Sequence, residues 1–202
     1  MVVKLGGSYA GSPLLRSWVR AVEAAAGRVV LVPGGGPFAD AVRDAQAAMG
    51  FGDEAADTMA MLGMAQFGIA LCSLGALLVI AENAAAIAAA LGGGQVPVWA
   101  PLAMARAESD LPRSWDVTSD SLALWLAWRL GAGALLLVKM RSADPSHSSW
   151  PDKPGHGSDD VVDAYFSQLR AAYPGPVLIA GPGDLPAAGL DPDRLPGVRL
   201  AA

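Results

Sequence analysis

Short apolar runs alternate with segments whose apolar positions recur at helical spacing, and this pattern repeats from one end of the chain to the other. Val2, Val3 and Leu5, with Lys4 among them, read as a strand that Gly6, Gly7 and Ser8 break into a loop. Residues 13–26 carry Leu14, Leu15, Trp18, Val19 and Val22 near a 3.6-residue period, so a helix is expected there, ended by Gly27. The run at 29–32 is a second buried strand, and Pro33-Gly34-Gly35-Gly36-Pro37 stops it before a helix over 39–49. The helical pattern resumes from Thr58 to about Leu74. A strand at 77–80, an alanine-rich helix at 83–91 and a short strand at 96–99 follow. Residues 119–130 are helical, with Leu122, Leu126 and Leu130 on one face and Ser119 as the expected N-cap. Residues 134–139 form an apolar strand that delivers Lys139 at its end. A helix over 160–172 and strands at 177–180 and 198–200 complete the order. Strands alternating with helices predict the α/β class, as a three-layer α/β/α sandwich with a mainly parallel central sheet.

At 202 residues and 53% hydrophobic content the chain is expected to build one domain around a substantial core. Lys and Arg total 14 against 19 Asp and Glu, a formal charge of -5. That balance argues against a nucleic-acid surface, which would show a basic stripe. Mean hydropathy is +0.38, and residues 58–81 carry no formal charge over a length that would reach across a bilayer. Gln66, Ser73 and three glycines interrupt that run, and no Lys/Arg cluster flanks it, so it reads as two buried elements rather than a membrane span. The apolar surplus there predicts a homo-oligomer. A single cysteine, Cys72, and the lack of a signal-peptide pattern at the N-terminus predict a cytoplasmic protein.

The chemistry-bearing residues sit where open parallel sheets hold ligands, at the carboxyl ends of strands. Gly6-Gly7 and Gly34-Gly35-Gly36 leave room for an anion to approach backbone N–H groups, although either loop taken singly also reads as a tight turn. The chain has only three lysines, Lys4, Lys139 and Lys153, and the first two lie at predicted strand ends. Beside a glycine loop an ammonium group neutralises charge on a transferring phosphoryl group; the plain alternative is a solvated strand terminus. Asp116-Val117-Thr118-Ser119-Asp120 places hydroxyls and carboxylates at a helix start, where Asp120 either complements the helix dipole or orients ammonium groups or a magnesium-bound phosphate. Residues 142–160, rich in Ser, Pro, Gly and Asp, are expected to form a mobile loop or lid. Its His147 and His156, with Asp144 and Asp152, make too loose a set for a metal site. No Ser-His-Asp arrangement near a nucleophile elbow suggests a hydrolase.

Four segments in order, VVKLGGS at 2–8, VVLVPGGGPFADAVR at 29–43, DVTSDSLALWLAWRLGA at 116–132 and ALLLVK at 134–139, resemble the amino-acid kinase superfamily, which includes acetylglutamate, aspartate, uridylate and isopentenyl phosphate kinases. The resemblance implies an ATP- and Mg2+-dependent phosphotransferase acting on a small anionic substrate. It further implies an acceptor-binding part at about 1–115 and a nucleotide-binding part at about 116–202. By the same resemblance Lys4, Asp120 and Lys139 are catalytic. Gly6, Gly7, Ser8, Lys139 and Arg141 hold the nucleotide, and Gly34, Gly35, Gly36, Arg43, Thr118 and Ser119 meet the acceptor. For Arg43 the alternative is an ordinary exposed helix arginine.

The sequence departs from the family pattern in two places. Lys139-Met140-Arg141-Ser142 stands where many members carry a VDG-like turn, and no lysine follows Lys153 to supply the late catalytic lysine many members have. The short length, PGGGPFAD and TSDSLA look most like the small kinases of methanofuran-type cofactor synthesis, which convert an aminomethylfuran phosphate to its diphosphate. A carboxylate kinase resembling the acetylglutamate enzymes, and a catalytically silent nucleotide-binding oligomer of the same fold, are the rival readings.

Overall fold

Apart from Lys4 the run VVKL offers nothing polar to solvent, and it becomes β1 (Val2–Leu5), the central strand of the sheet. The computed structural model describes residues 1–108, 111–140 and 162–200. Among the described residues the other strands are β2 (Val30–Pro33), β3 (Leu78–Ala81), β4 (Val96–Trp99), β5 (Leu135–Val138), β6 (Val177–Ala180) and β7 (Val198–Arg199). They lie in the order β3-β4-β2-β1-β5-β6-β7. Only β7 runs antiparallel, along β6. Strands covered on both faces must be apolar throughout, which is why β1, β2, β4 and β5 are buried at every position. Leu5 is level with Pro33 on one side and Val138 on the other, so β1, β2 and β5 end in line.

Helices α1 (Leu15–Glu23), α2 (Gly36–Met49), α3 (Asp53–Cys72), α4 (Ala84–Gly92), α5 (Leu102–Ala107), α6 (Ser119–Arg129) and α7 (Phe166–Arg170) cover the two faces, giving the expected α/β/α sandwich. Strand alternation sends Val2, Leu135 and Leu137 into one core with α6 and α7, and Val3, Leu5, Leu136 and Val138 into the other with α1. Helix α6 is buried from Asp120 to Ala127, the condition of a helix that is apolar on all sides. Trp99 at the end of β4 stacks on Trp125 of α6 at 5.8 Å between ring centroids. The uncharged run at 58–81 divides into the end of α3 and strand β3. Met61 and Met64 enter the first core and Phe67 and Leu71 the second.

Three expectations need correction. Thr118, not Ser119, is the N-cap of α6: its backbone is extended and its side chain faces Asp120 N, while Ser119 is already helical. The helix expected over 160–172 is only Phe166–Arg170 within the described residues, because Pro174 and Gly175 close it and Asp163 draws the chain before it into a turn. Helix α5 went unread, since six residues after Pro101 are too few to show a helical period.

Candidate functional site

The chain moves outward from β1 to β2 in one direction and returns to place β5 on the opposite flank of β1, so the sheet reverses its winding between β1 and β5. Such a reversal leaves a crevice at the carboxyl ends of the strands. Lys4 lies across from Leu137, and Lys139 stands two residues beyond Leu137, so strand alternation sends both lysines to the face that α6 covers. The first turn of α6 brings Asp120 between them. Lys4 Nζ is 3.0 Å from Asp120 Oδ1, and Lys139 Nζ donates to Oδ2 at 2.5 Å. One carboxylate therefore receives an ammonium group on each oxygen.

The electrostatics follow from that two-to-one ratio. Asp120 is 3% exposed, and burial alone would raise its pKa, but the Lys139 and Lys4 charges together outweigh burial and hold it well below the usual carboxylate range. Lys4, 6% exposed, is also lowered, from its ordinary 10.5. Burial lowers it, Asp120 opposes that, and Lys139 adds repulsion. Asp120 is compensated twice, and the two lysines that share it lie close enough for Lys139 to repel the charge on Lys4.

The two glycine loops meet beside this triad. Gly6 N donates to Val138 O and Gly34 N to Leu5 O, which pins both loops to neighbouring strand ends. A Cβ on Gly7 would stand 2.1 Å from Gly36 N, and one on Gly34 would stand 2.3 Å from Gly7 N. No side chain fits between backbones that close, and Gly36, at φ +54, begins α2 from the left-handed region. Residues 6–8 and 34–36 therefore form one continuous backbone surface at the rim. The first turn of α2 adds its dipole there, and Ser8 is exposed at the edge.

Tyr9, buried in the 3-10 turn over Gly7–Gly11, ties this surface to the second lysine by donating to Lys139 O at 3.1 Å. Burial pushes its phenol up to about 12, so it stays a donor at any ordinary pH.

Arg43 lies on α2, about two turns beyond Gly36. Its guanidinium lies 4.2 Å over the Trp115 ring and 3.1 Å from Asp40 Oδ1, and Trp115 Nε1 donates to Gln46 Oε1 at 2.7 Å. The segment between α5 and α6 is thereby docked on α2 and α3, and Arg113 adds an ion pair to Glu54. Asp57, buried on α3, lies 3.1 Å from Arg106 of α5. Burial raises its pKa against the Arg106 and Arg113 charges.

Two buried acids escaped the sequence reading. Asp57 sits one turn before Met61 on a helix that is mostly apolar beyond its acidic start, and that acidic start was its only signal. Asp163 gave none. It is 4% exposed and accepts from Thr118 N at 3.0 Å, Thr118 Oγ1 at 2.7 Å, Ser121 N at 3.0 Å, Ser121 Oγ and Phe166 N at 3.1 Å. Thr118 thus spends its hydroxyl proton on Asp163, and Ser119, half-buried, opens α6 beside Asp120. Lys4, Asp120, Lys139 and the two glycine loops are brought together; Arg43 stands apart with Trp115. Arg141, Lys153, His147, His156 and the loop at 142–160 lie outside the described residues. Among the described residues no three His, Cys, Asp or Glu side chains gather as a metal site.

Residues 1–140 match the model of the amino acid kinase family. Comparison with curated proteins finds no match. Among solved structures the fold is similar to uridylate kinase from Archaeoglobus fulgidus, at TM-score 0.67 and 18% identity, covering 89% of this chain and 90% of that one. It is also similar to UMP kinase from Ureaplasma parvum, at TM-score 0.65 and 16% identity over 91% and 90% of the two chains. UMP kinase from Bacillus anthracis gives 0.60 and 14% over 89% and 86%.

Proposed function

The chain belongs to the amino acid kinase family, and from that premise we propose that it moves the terminal phosphoryl group of ATP onto a small anionic acceptor, most specifically a phosphate monoester. The observation that carries the reading is the convergence of Lys4 and Lys139 on Asp120, beside two glycine loops in backbone contact. Phosphoryl transfer asks little covalent chemistry of a protein; it asks for alignment and for cations where negative charge spreads. In this reading residues 6–8 hold the nucleotide phosphates and residues 34–36 hold the acceptor, so that the two oxygens are opposed across the shared surface. The ammonium groups of Lys4 and Lys139 lie against the equatorial oxygens, and Asp120 aims both lysines without touching phosphate. Magnesium would be held by the ATP phosphates themselves and would supply further charge neutralisation there. An acceptor that is already an anion needs no general base, and this triad holds none. Apart from residues 6–8, the part at about 1–115 supplies the acceptor side and the part at about 116–202 the nucleotide side.

Lys139 answers the missing late lysine. It provides a second cation from a neighbouring strand end, which favours an active enzyme over a silent nucleotide-binding module. The aminomethylfuran phosphate acceptor rests on the sequence resemblance; Arg43 beside Trp115 offers a cation and an aromatic face to such a compound. Met59, Leu62 and Ile69 are exposed along one side of α3, with Ile80 exposed on the edge strand beside it, and this apolar stripe is the surface on which we expect the homo-oligomer to form.

The test is direct. Incubation with Mg-ATP and a panel of phosphate monoesters and carboxylates, followed by 31P NMR, should give acceptor-dependent ADP and a new diphosphate ester. A new acyl phosphate instead would establish the carboxylate reading, and ATP binding without turnover on any acceptor would establish the silent module. Trp115→Ala should raise the acceptor KM about two- to fivefold, the worth of an exposed cation–π contact, with the KM for ATP unchanged. An equal change in both constants would remove Arg43 from the acceptor side.

A further inference from the structure

We propose that Asp163 is a positioning residue for the transfer: by locking the turn that opens α6 it aims Asp120, and through Asp120 the two lysines, at the phosphates. The proposal rests on the kinase reading and deepens it. Asp163 belongs to no catalytic motif, yet it accepts five hydrogen bonds from three residues, and four of the donors are in Thr118 and Ser121, on either side of Asp120. Tyr165 N adds a bond to Asp116 O, so the chain from 163 to 166 is zipped along 116–121. Asp120 is then fixed from both flanking sides before either lysine reaches it.

The arrangement demands a carboxylate. Oδ2 faces the N–H groups of Thr118 and Ser121, and Oδ1 faces the N–H of Phe166. A hydroxyl can turn to accept, but a backbone N–H cannot, so an asparagine amide in either orientation sets two donors against each other. Burying such a mismatch displaces the turn, and a displacement near 1 Å at the catalytic groups costs on the order of 100-fold in rate.

Charge adds a second line of support. Lys4 faces Asp120 from α6, Lys139 from the end of β5 and Asp163 from the chain before α7, and the Asp163 charge raises its pKa. The charge of Asp163 thus reaches Lys4 without contact, while Asp120 touches both ammonium groups.

Asp163→Asn tests both lines in the full-length protein. With the fold retained by circular dichroism, kcat should fall at least about tenfold while the KM for ATP changes much less, because the lysines still bind phosphate but from the wrong angle. In 13Cε-lysine NMR, resolvable because the chain has three lysines, the Lys4 titration should move to lower pH. A kcat within twofold of the unmodified enzyme together with an unmoved Lys4 midpoint would overturn the proposal. Should Asp163→Asn fail to fold, Ser121→Ala removes one donor and leaves the charge: kcat should fall severalfold with the Lys4 midpoint in place, and an unchanged kcat would overturn the positioning role. The lysine titration needs neither nucleotide nor acceptor. A parent enzyme inactive on every acceptor would therefore sink the kinase reading, while the titration would still report whether Asp163 acts on Lys4.

Discussion

Lys4→Met is expected to lower kcat by about 100- to 1,000-fold, the usual cost of losing one preorganised group that meets developing charge. It should do so with little damage to the fold. Methionine fills nearly the same volume along β1, and Asp120 keeps its hydrogen bond from Lys139, so no buried charge is stranded. The stability change should stay within about 1–2 kcal/mol, inside the ordinary range for single substitutions. The pH dependence gives an independent check. The folded pKa of Lys4 lies below its ordinary 10.5, so between the two values the unfolded chain binds the extra proton and stability rises with pH. That increment should be present in alkaline urea melts of the unmodified protein and absent from Lys4→Met. For the same reason turnover should decline on an alkaline limb below the usual lysine range. Full turnover of Lys4→Met under saturating ATP would remove Lys4 from the chemistry.

Much of this site was legible because it is built from strand ends. Lys4-Leu5-Gly6-Gly7 and Val32-Pro33-Gly34-Gly35-Gly36 each state a strand, its end and the absence of side chains beyond it, and all three statements are local. What local sequence could not supply was the contact between the loops. It follows from β1 and β2 pairing in parallel with Leu5 level with Pro33, so both loops leave the sheet at one height. Lys139 became meaningful in the same way, through the register that places Leu137 beside Lys4.

The unread parts share a different cause. Asp163 lies 42 residues from Ser121 in the chain, and neither position shows periodicity or a motif that points to the other. Asp57 interrupts no apolar period strongly enough to stand out, because a 20-residue helix that crosses from one core to the other has no single buried face. The N-cap of α6 was misplaced by one residue for a related reason. Thr118 and Ser119 cap equally well on propensity, and the choice falls to Thr118 because Asp163 holds it in extended backbone. Long-range polar contacts decide such details, and hydrophobic patterning is blind to them.

Asp120→Ala should be strongly destabilising, because it removes the buried carboxylate that both ammonium groups contact. Losing one partner of a buried ion pair costs about 3–5 kcal/mol, a large share of the 5–15 kcal/mol that holds a typical domain together. Turnover should fall with it, since the two lysines would lose the carboxylate that aims them. The effect has a pH signature of definite sign. The folded pKa of Asp120 is depressed, so its contribution is fully present above the unfolded carboxylate value of about 3.9 and disappears as pH falls through the folded value. The gap between parent and Asp120→Ala in urea melts should therefore be widest near neutrality and narrow in acid. A cycle with Lys139→Met separates the charge effect from the loss of packing: deleting that lysine removes the repulsion between the two, so the double variant should be more stable than the sum of the single changes predicts, by about 0.5–3 kcal/mol. Strict additivity would mean that Asp120 does not hold the two lysines together, and the ordered cation pair on which the proposed transfer depends would lose its organiser.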